Sequence, residues 1–298
     1  MSYKFEQVII VGSGSLASKC IMHMLQLGLP NPILIYETNT TTISTLGNLA
    51  KYQDIHYINV PKEKIIQDLV AIRKRTVIFL LGCNYIIPRI VVQNEYLTII
   101  NYHNSLLPKH PGRNAEAWAI YEQDSMTGVT WHYVEERIDS GDIIFQKEIQ
   151  LDDSFSSFSL LRLQNQLAFD TFKIFINDLL FGEVKTYKQN EDLRGRLHLS
   201  TDIPNGGFLD TTWDIFKIKA FLRAMDYGAL RRMGQPKVII NQGIYTWDKT
   251  VFLNHDEIRD ESTVNVEENY LLISRDGETI KLLGLHQILE ESEDGENL

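Results

Sequence analysis

The sequence predicts an α/β protein: a doubly wound, mostly parallel sheet with helices on both faces, then a small domain of one helix and several short strands. Three observations predict this. Apolar runs of β character alternate with amphipathic stretches over the first 180 or so residues. A glycine turn, Gly12-Ser-Gly14, joins the first of these runs to the first helical stretch. Beyond a polar interruption at 183–205 the pattern becomes one helix followed by brief strands with turn residues between them. The expected domains are 1–190 and 203–298, with the polar interruption as linker.

Each element has a local reason. Gln7-Val-Ile-Ile-Val-Gly12 is a buried strand, and Leu16, Cys20, Met24 and Leu27 give the next stretch helical spacing, with Gly28 and Pro30 as stop signals. Pro32–Glu37 is a second strand, and the polar run Thr38–Thr45 is a loop leading into a helix. Ile55–Val60 and Thr76–Gly82 are further strands around a helix at Glu63–Arg73. Ser156–Leu180 is a long amphipathic helix, with apolar positions at Leu160, Leu163, Leu167, Phe172, Phe175 and Leu179. In the second domain a helix at Trp213–Met225 precedes three to five strands. These include Lys237–Ile240, Gly243–Trp247, Tyr270–Ser274 and Thr279–Leu283, the last two joined by a turn at Arg275-Asp-Gly-Glu278. The acidic end, Glu290–Leu298, is expected to fray.

Composition narrows the function classes. The chain has 298 residues, 44% hydrophobic and 23% charged, with a net charge of −10, which disfavours nucleic acid or an anionic membrane as a partner chosen by bulk charge. Two cysteines, Cys20 and Cys83, both in apolar runs, support neither a disulfide framework nor a zinc cluster. The sequence lacks a signal-peptide pattern and any run near the roughly 18 apolar residues of a membrane span. A cytoplasmic protein is expected, with a homo-oligomer left open.

The chemistry concentrates in Ile100-Asn-Tyr-His-Asn-Ser-Leu-Leu-Pro108 and, farther on, Ile138-Asp-Ser-Gly-Asp-Ile143. Asn101 and His103 end an apolar run. As residues i and i+2 of a strand they point to the same side. Asp139 follows a second β-rich run, Gly128–Val134, and Gly141 lets the chain turn there. An amide, an imidazole and a carboxylate suit acyl transfer to an amine, in which an oxyanion forms as nitrogen loses a proton. The bland alternative is a satisfied polar cluster at strand ends.

Other motifs compete. Gly12-Ser-Gly-Ser-Leu-Ala17 with Glu37 at the end of the next strand imitates a dinucleotide fingerprint, so an NAD-dependent oxidoreductase using Gly12, Gly14 and Glu37 is an alternative. The same glycines also serve a tight turn in a sheet that binds nothing. Ser105 invites a serine-hydrolase reading, but no Gly-x-Ser-x-Gly elbow surrounds it. His132 reads as a packed or supporting histidine, Glu135, Glu136 and Arg137 as a solvated face, and Trp118 and Tyr121 as the buried side of a helix. His110, Arg113 and Asn114 are either solvated loop residues or acceptor contacts. A non-enzymatic interaction module is the blandest alternative, and it leaves the amide, imidazole and carboxylate at neighbouring strand ends unexplained.

Asn101-x-His103, Ser105-Leu-Leu-Pro108 and Asp139-x-Gly141 together resemble the signature of the formyltetrahydrofolate-dependent formyltransferases. That family includes methionyl-tRNA formyltransferase and the amino-sugar N-formyltransferases. The resemblance is strongest between Gly82 and Gln146. It implies a Rossmann-like formyltransferase core and a small barrel-like, OB-like C-terminal domain. It also implies Asn101, His103 and Asp139 as catalytic residues, with Asn101 and a protonated His103 donating to the oxyanion. 10-Formyltetrahydrofolate would be the formyl donor, in a pocket formed by Gly82, Asn84, Ile87, Leu107, Gly141 and Asp142, with no metal. The N-terminal glycines and the loop Lys109–Asn114 depart from the family pattern. A related folate-dependent hydrolase is disfavoured because the first strand lies so near the start of the sequence.

The acceptor is expected to be a small metabolite bearing a primary amine, with a nucleotide-linked amino sugar first and an aminoacyl group on tRNA or a carrier protein second. From Ile203 onward there are 10 Lys+Arg against 17 Asp+Glu, a balance of −7, which makes a poor track for tRNA. Arg231, Arg232 and Lys237 form a local basic patch that would suit a diphosphate, or is ordinary surface.

Overall fold

The computed structural model describes residues 3–28, 32–38, 44–253 and 262–288. Pro30, most of the loop after the second strand and the acidic end at 290–298 lie outside the described residues. The chain forms two compact units, one of residues 1–115, 126–150 and 161–200, the other of 116–125, 151–160 and 201–298.

The first unit is a seven-stranded sheet. Its strands are β1 (Gln7–Gly12), β2 (Ile33–Glu37), β3 (His56–Asn59), β4 (Thr76–Leu81), β5 (Leu97–His103), β6 (Met126–Tyr133) and β7 (Ile143–Gln150). They lie in the order β3-β2-β1-β4-β5-β6-β7. The first five are parallel, and β6 and β7 continue antiparallel. The expected mostly parallel, doubly wound sheet is therefore present. After their first residues, Gln7 and Thr76, central strands β1 and β4 carry no polar side chain because both of their faces are covered. Edge strand β3 keeps polar His56 and Asn59 exposed.

Alternation along each strand sorts side chains between two cores. Val8, Ile10 and Phe79 pack on one face with α1 (Gly14–Gln26), α2 (Thr45–Gln53) and α6 (Ser157–Phe181), through Leu16, Cys20, Met24, Leu46, Phe172 and Phe175. Ile9, Val11, Ile78 and Leu80 face α3 (Lys62–Val70) and α4 (Arg89–Val92), through Ile65, Leu69 and Val91. Trp131 of β6 is fully buried on the α6 side, its indole N–H donating to Thr171 Oγ1 at 3.0 Å and to the Ala168 carbonyl at 3.2 Å.

One expectation fails. The segment read as a linker, 183–205, is pinned along much of its length. Tyr187 and Ile143 exchange backbone hydrogen bonds of 2.8 and 3.1 Å, Gly195 N–H donates to the Pro108 carbonyl and His198 N–H to that of Pro111. Polar composition suggested solvent exposure, but these contacts are made by backbone atoms, which composition does not report.

In the second unit, α5 (Ala115–Tyr121) and α7 (Ile215–Met225) accompany two four-stranded sheets. Asp214 caps α7 by accepting from Lys217 N–H at 2.8 Å. One sheet contains a hairpin of strands Tyr270–Arg275 and Glu278–Leu283, whose turn places Asp276 and Gly277 at φ 53° and 75°. Seven described strands follow α7, more than the three to five expected. Lys249–Leu253 and Thr263–Glu267 escaped because both are short, with no fully buried residue, and only two valines mark the second. No helix among the described residues is long and apolar enough to cross a membrane.

Candidate active site

Strand β5 ends in Asn101 and His103, and antiparallel β6 sets His132 directly opposite Asn101. Asp139 lies on the turn between β6 and β7 and closes the cluster. Its Oδ2 is 3.5 Å from His103 Nδ1, and its Oδ1 is 3.5 Å from both His132 Nε2 and Asn101 Nδ2. The structure thus brings together the three residues singled out from sequence and adds His132, read there as a packed or supporting histidine.

The neighbours fix the proton positions. His132 Nδ1 donates to the Tyr133 carbonyl at 2.8 Å, which leaves Nε2 to accept from the Asn101 amide at 3.2 Å. His103 Nε2 donates to the His110 carbonyl at 2.8 Å. Both nitrogens of His103 therefore face oxygen atoms, an arrangement that the imidazolium satisfies best. Burial opposes that charge more strongly than Asp139 supports it, so the pKa of His103 lies below its ordinary value. The protonated His103 expected from the family resemblance is therefore disfavoured, and its Nε2 hydrogen is committed to His110.

Burial also acts to raise the pKa of Asp139. His103, His132 and a 2.7 Å hydrogen bond from Gly112 N–H outweigh it and hold the carboxyl well below the usual carboxylate range. The backbone contributes to this geometry. Asp139 sits in the left-handed region at φ 49°. Gly141 is required two residues later, because a Cβ there would lie 1.9 Å from the Tyr133 carbonyl oxygen. Gly112 can hold Asp139 only as glycine, since a Cβ would meet the His198 carbonyl at 2.1 Å.

Several supporting residues escaped the sequence reading. Gln189 and Arg194 bond to carbonyls of the Asp139 turn. Thr130 Oγ1 donates to the Ser105 carbonyl and accepts from Leu107 N–H, and Gln146 Nε2 donates to the Leu107 carbonyl. Thr130 and Gln146 face each other on paired strands, and a buried threonine on β6 was a usable signal. The residues of 183–205 carry no periodicity that would have flagged them.

The competing motifs resolve structurally. The Ser105 hydroxyl is buried and donates to the Lys109 carbonyl at 2.6 Å, a turn-stabilising contact. His110 is buried and its ring stacks on His198 at 5.7 Å, so it is not a solvated loop residue. Arg113 is exposed, and Glu135, Glu136 and Arg137 form the solvated face expected. The N-terminal glycines have a backbone reason. A Cβ on Gly12 would lie 2.0 Å from the Leu81 carbonyl oxygen, and one on Gly82 would lie 2.8 Å from that of Ser13. Glu37 is buried and accepts from the Tyr57 hydroxyl at 2.8 Å and from Ser44, so its carboxylate is already engaged. Glu37→Ala is expected to leave folate-dependent turnover within about twofold while lowering stability by about 1–3 kcal/mol. Stoichiometric NADH binding lost in that variant would contradict this.

Of the residues expected around the formyl donor, Gly82 and Asn84 line a cleft at the ends of β1, β2 and β4, together with Gly12, Ser13, Glu37 and Tyr85. Ile87 is packed into the core, whereas its neighbours Ile86 and Ile90 are exposed. Leu107 is buried beside Thr130 and Gln146. Gly141 and Asp142 lie on the Asp139 turn, where the Asp142 carbonyl accepts from Tyr133 N–H at 3.0 Å. These last four lie outside the lining of that cleft.

Reactive groups gathered at the carboxyl end of a strand in an open, doubly wound sheet define an α/β enzyme that works on a bound ligand there. More particularly, residues 8–176 match the formyl transferase family, and the chain belongs to it. GDP-perosamine N-formyltransferase of Brucella melitensis is 25% identical over 232 residues, covering 74% of this chain and 84% of the relative. Methionyl-tRNA formyltransferase of Fusobacterium nucleatum is 30% identical over 147 residues, only 49% of this chain and 46% of the relative. Two solved structures share the fold over nearly the whole chain. The sugar 3N-formyl transferase WlaRD, in the presence of dTDP and 5-N-formyl-THF, has a TM-score of 0.75 at 22% identity, covering 95% of this chain and 99% of that one. An N-formyltransferase of Helicobacter canadensis, complexed with folinic acid and dTDP-3-aminofucose, has a TM-score of 0.74 at 20% identity, covering 93% and 98%.

Proposed function

We propose that this formyltransferase is cytoplasmic and moves the formyl group of 10-formyltetrahydrofolate to the primary amine of a nucleotide-linked amino sugar. The observation that carries the reading is the convergence of Asn101, His103 and Asp139 at the end of β5. The relative that spans most of the chain is named for a GDP-linked amino sugar, and both full-length structural neighbours hold a formyl-folate with a dTDP species.

Each residue has a task in this reaction. Asn101 keeps one amide hydrogen on His132 and turns the other, which rests on Asp139 Oδ1 at the long distance of 3.5 Å, to the oxyanion that forms on the formyl group, a contribution on the order of 3 kcal/mol. As the acceptor nitrogen bonds to the formyl carbon it becomes cationic and must lose a proton. His103, held neutral by burial, takes that proton on Nδ1, directly or through water. Asp139 remains a carboxylate and stabilises the imidazolium at that moment. The proton then returns to the departing nitrogen of the donor as the carbon–nitrogen bond breaks. Gly82 and Asn84 in the cleft, with Ile87, Leu107, Gly141 and Asp142, are the residues assigned to the donor.

Formylation of an aminoacyl group is the second reading, supported by the methionyl-tRNA relatives over about half of the chain. The −7 balance from Ile203 onward weighs against it. In the basic patch Arg231 and Arg232 are exposed, Arg232 lies 3.9 Å from buried Glu116, and Lys237 lies over the Phe208 ring. Three cations, one of them already facing a carboxylate, suit a diphosphate better than an RNA backbone.

A ligand titration tests the donor assignment. A stable folate analogue at about 100 times its Kd should add roughly 2.7 kcal/mol of stability, while NADH adds none. Stabilisation by NADH, with no response to the folate, would refute it.

A further inference from the structure

We propose that Gln189 and Arg194 are positioning residues for formyl transfer, holding the left-handed turn at Asp139 so that its carboxylate stays aimed at His103. The inference rests on the proposed role of Asp139. Gln189 Nε2 donates to the Asp139 carbonyl at 3.1 Å and to the Gly141 carbonyl at 2.8 Å. Arg194 donates to the Asp139 carbonyl at 3.2 Å and to the Ile138 carbonyl at 2.6 Å. Two side chains from one segment therefore engage three carbonyls of a single tight turn, and both meet at the carbonyl of Asp139 itself.

The need for such a clamp lies in the backbone. Asp139 is a non-glycine residue at φ 49°, a conformation an L-residue leaves readily unless its surroundings impose it. Its carboxylate is anchored by Gly112 N–H, and the 3.5 Å separation from His103 Nδ1 has no slack for a useful electrostatic contact to spare. Rotation of the turn would withdraw the charge from the imidazole before it disturbed the sheet. The amide orientation of Gln189 follows from its partners, since two carbonyl oxygens can be faced only by the NH2 end. Gln189 is 9% exposed, and its reach into the turn depends on the same segment that Tyr187 pairs to Ile143. A second link between the segments, the exposed Arg137–Glu191 ion pair at 2.7 Å, touches no carbonyl of the turn and serves as a control.

The groups facing His103 are Asp139, His132 and His110. Asp139 is the ionised group among them that favours the charged imidazole, helped by the His110 carbonyl and opposed by the rings of His132 and His110. Loosening it should lower the pKa of His103 further and move the acid limb of the pH–rate profile to lower pH.

The test compares Gln189→Leu, Arg194→Ala, Arg194→Lys and Arg137→Ala, alone and in an Asp139→Asn background, by steady-state kinetics and pH profile. Gln189→Leu and Arg194→Ala should each lower kcat about tenfold with KM for both substrates within twofold and the acid limb displaced downward. Arg194→Lys should recover part of the loss, and Arg137→Ala should match the wild type. In the Asp139→Asn background the same changes should cost less than twofold, because their effect passes through the missing carboxylate. Undiminished losses in that background, or kcat and pH profile unchanged in both single variants, would overturn the proposal. Failure of formyl transfer by the wild-type protein would instead overturn the functional reading beneath it.

Discussion

His103→Ala and Asp139→Asn are each expected to lower kcat by about two orders of magnitude or more while leaving the fold intact, since each removes a group that acts mainly in the transition state. Both side chains contact polar groups and lie outside the apolar core clusters, so neither change opens the core. His103 contacts Asp139 and the His110 carbonyl, and Asp139 contacts His103, His132 and Gly112. Ser105→Ala should be mild by comparison, since its hydroxyl serves the Lys109 carbonyl. The pH profile carries a signed expectation. Burial lowers the pKa of His103 below the ordinary 6.5, so wild-type activity should be flat near neutrality and fall only below that value. Asp139→Asn deletes the charge that supports protonation, so its residual activity should fall at still lower pH. Near-wild-type turnover by soluble His103→Ala or Asp139→Asn protein would sink the assignment.

The largest stability effect is expected at Trp131. Its ring is fully buried and meets those of Tyr102, Phe172 and Phe175 at centroid distances of 5.6, 5.5 and 5.4 Å. Trp131→Ala removes that packing and both partners of its indole N–H, and should cost about 3–5 kcal/mol. The same change should also weaken the active site. Residues 131 and 132 point to opposite faces of β6, so the tryptophan that anchors the strand to α6 also fixes the histidine opposite Asn101. Urea unfolding gives the loss directly, and a value under about 1 kcal/mol would show that the surrounding aromatics repack freely.

Much of this architecture is legible in the sequence because it rests on local patterns. The fully apolar runs of β1 and β4 reported strands covered on both faces, and the i, i+2 spacing of Asn101 and His103 reported a shared direction. The Asp-Gly pair at 276–277 reported its hairpin. What escaped depends on backbone atoms meeting across long sequence separations. Burial of His103 by residues far away in sequence lowers its pKa and so altered the expected protonation of the imidazole. Gln189 and Arg194 reach the Asp139 turn from a segment whose polar composition suggested a linker. The glycine fingerprint left two readings open for the same reason. Gly12 is needed because the Leu81 carbonyl lies against it, a contact between parallel neighbours that no spacing of glycines can announce.

The most direct measurement is formyl transfer by the purified protein supplied with 10-formyltetrahydrofolate. Nucleotide-linked amino sugars and charged initiator tRNA would be offered in parallel at several salt concentrations, with the formamide product followed by mass spectrometry. The acidic balance of the sequence from Ile203 onward and its likeness to sugar N-formyltransferases lead to one expectation: a formamide on a nucleotide-linked amino sugar and none on the tRNA. Efficient, salt-sensitive formylation of the tRNA, with every sugar refused, would contradict the account.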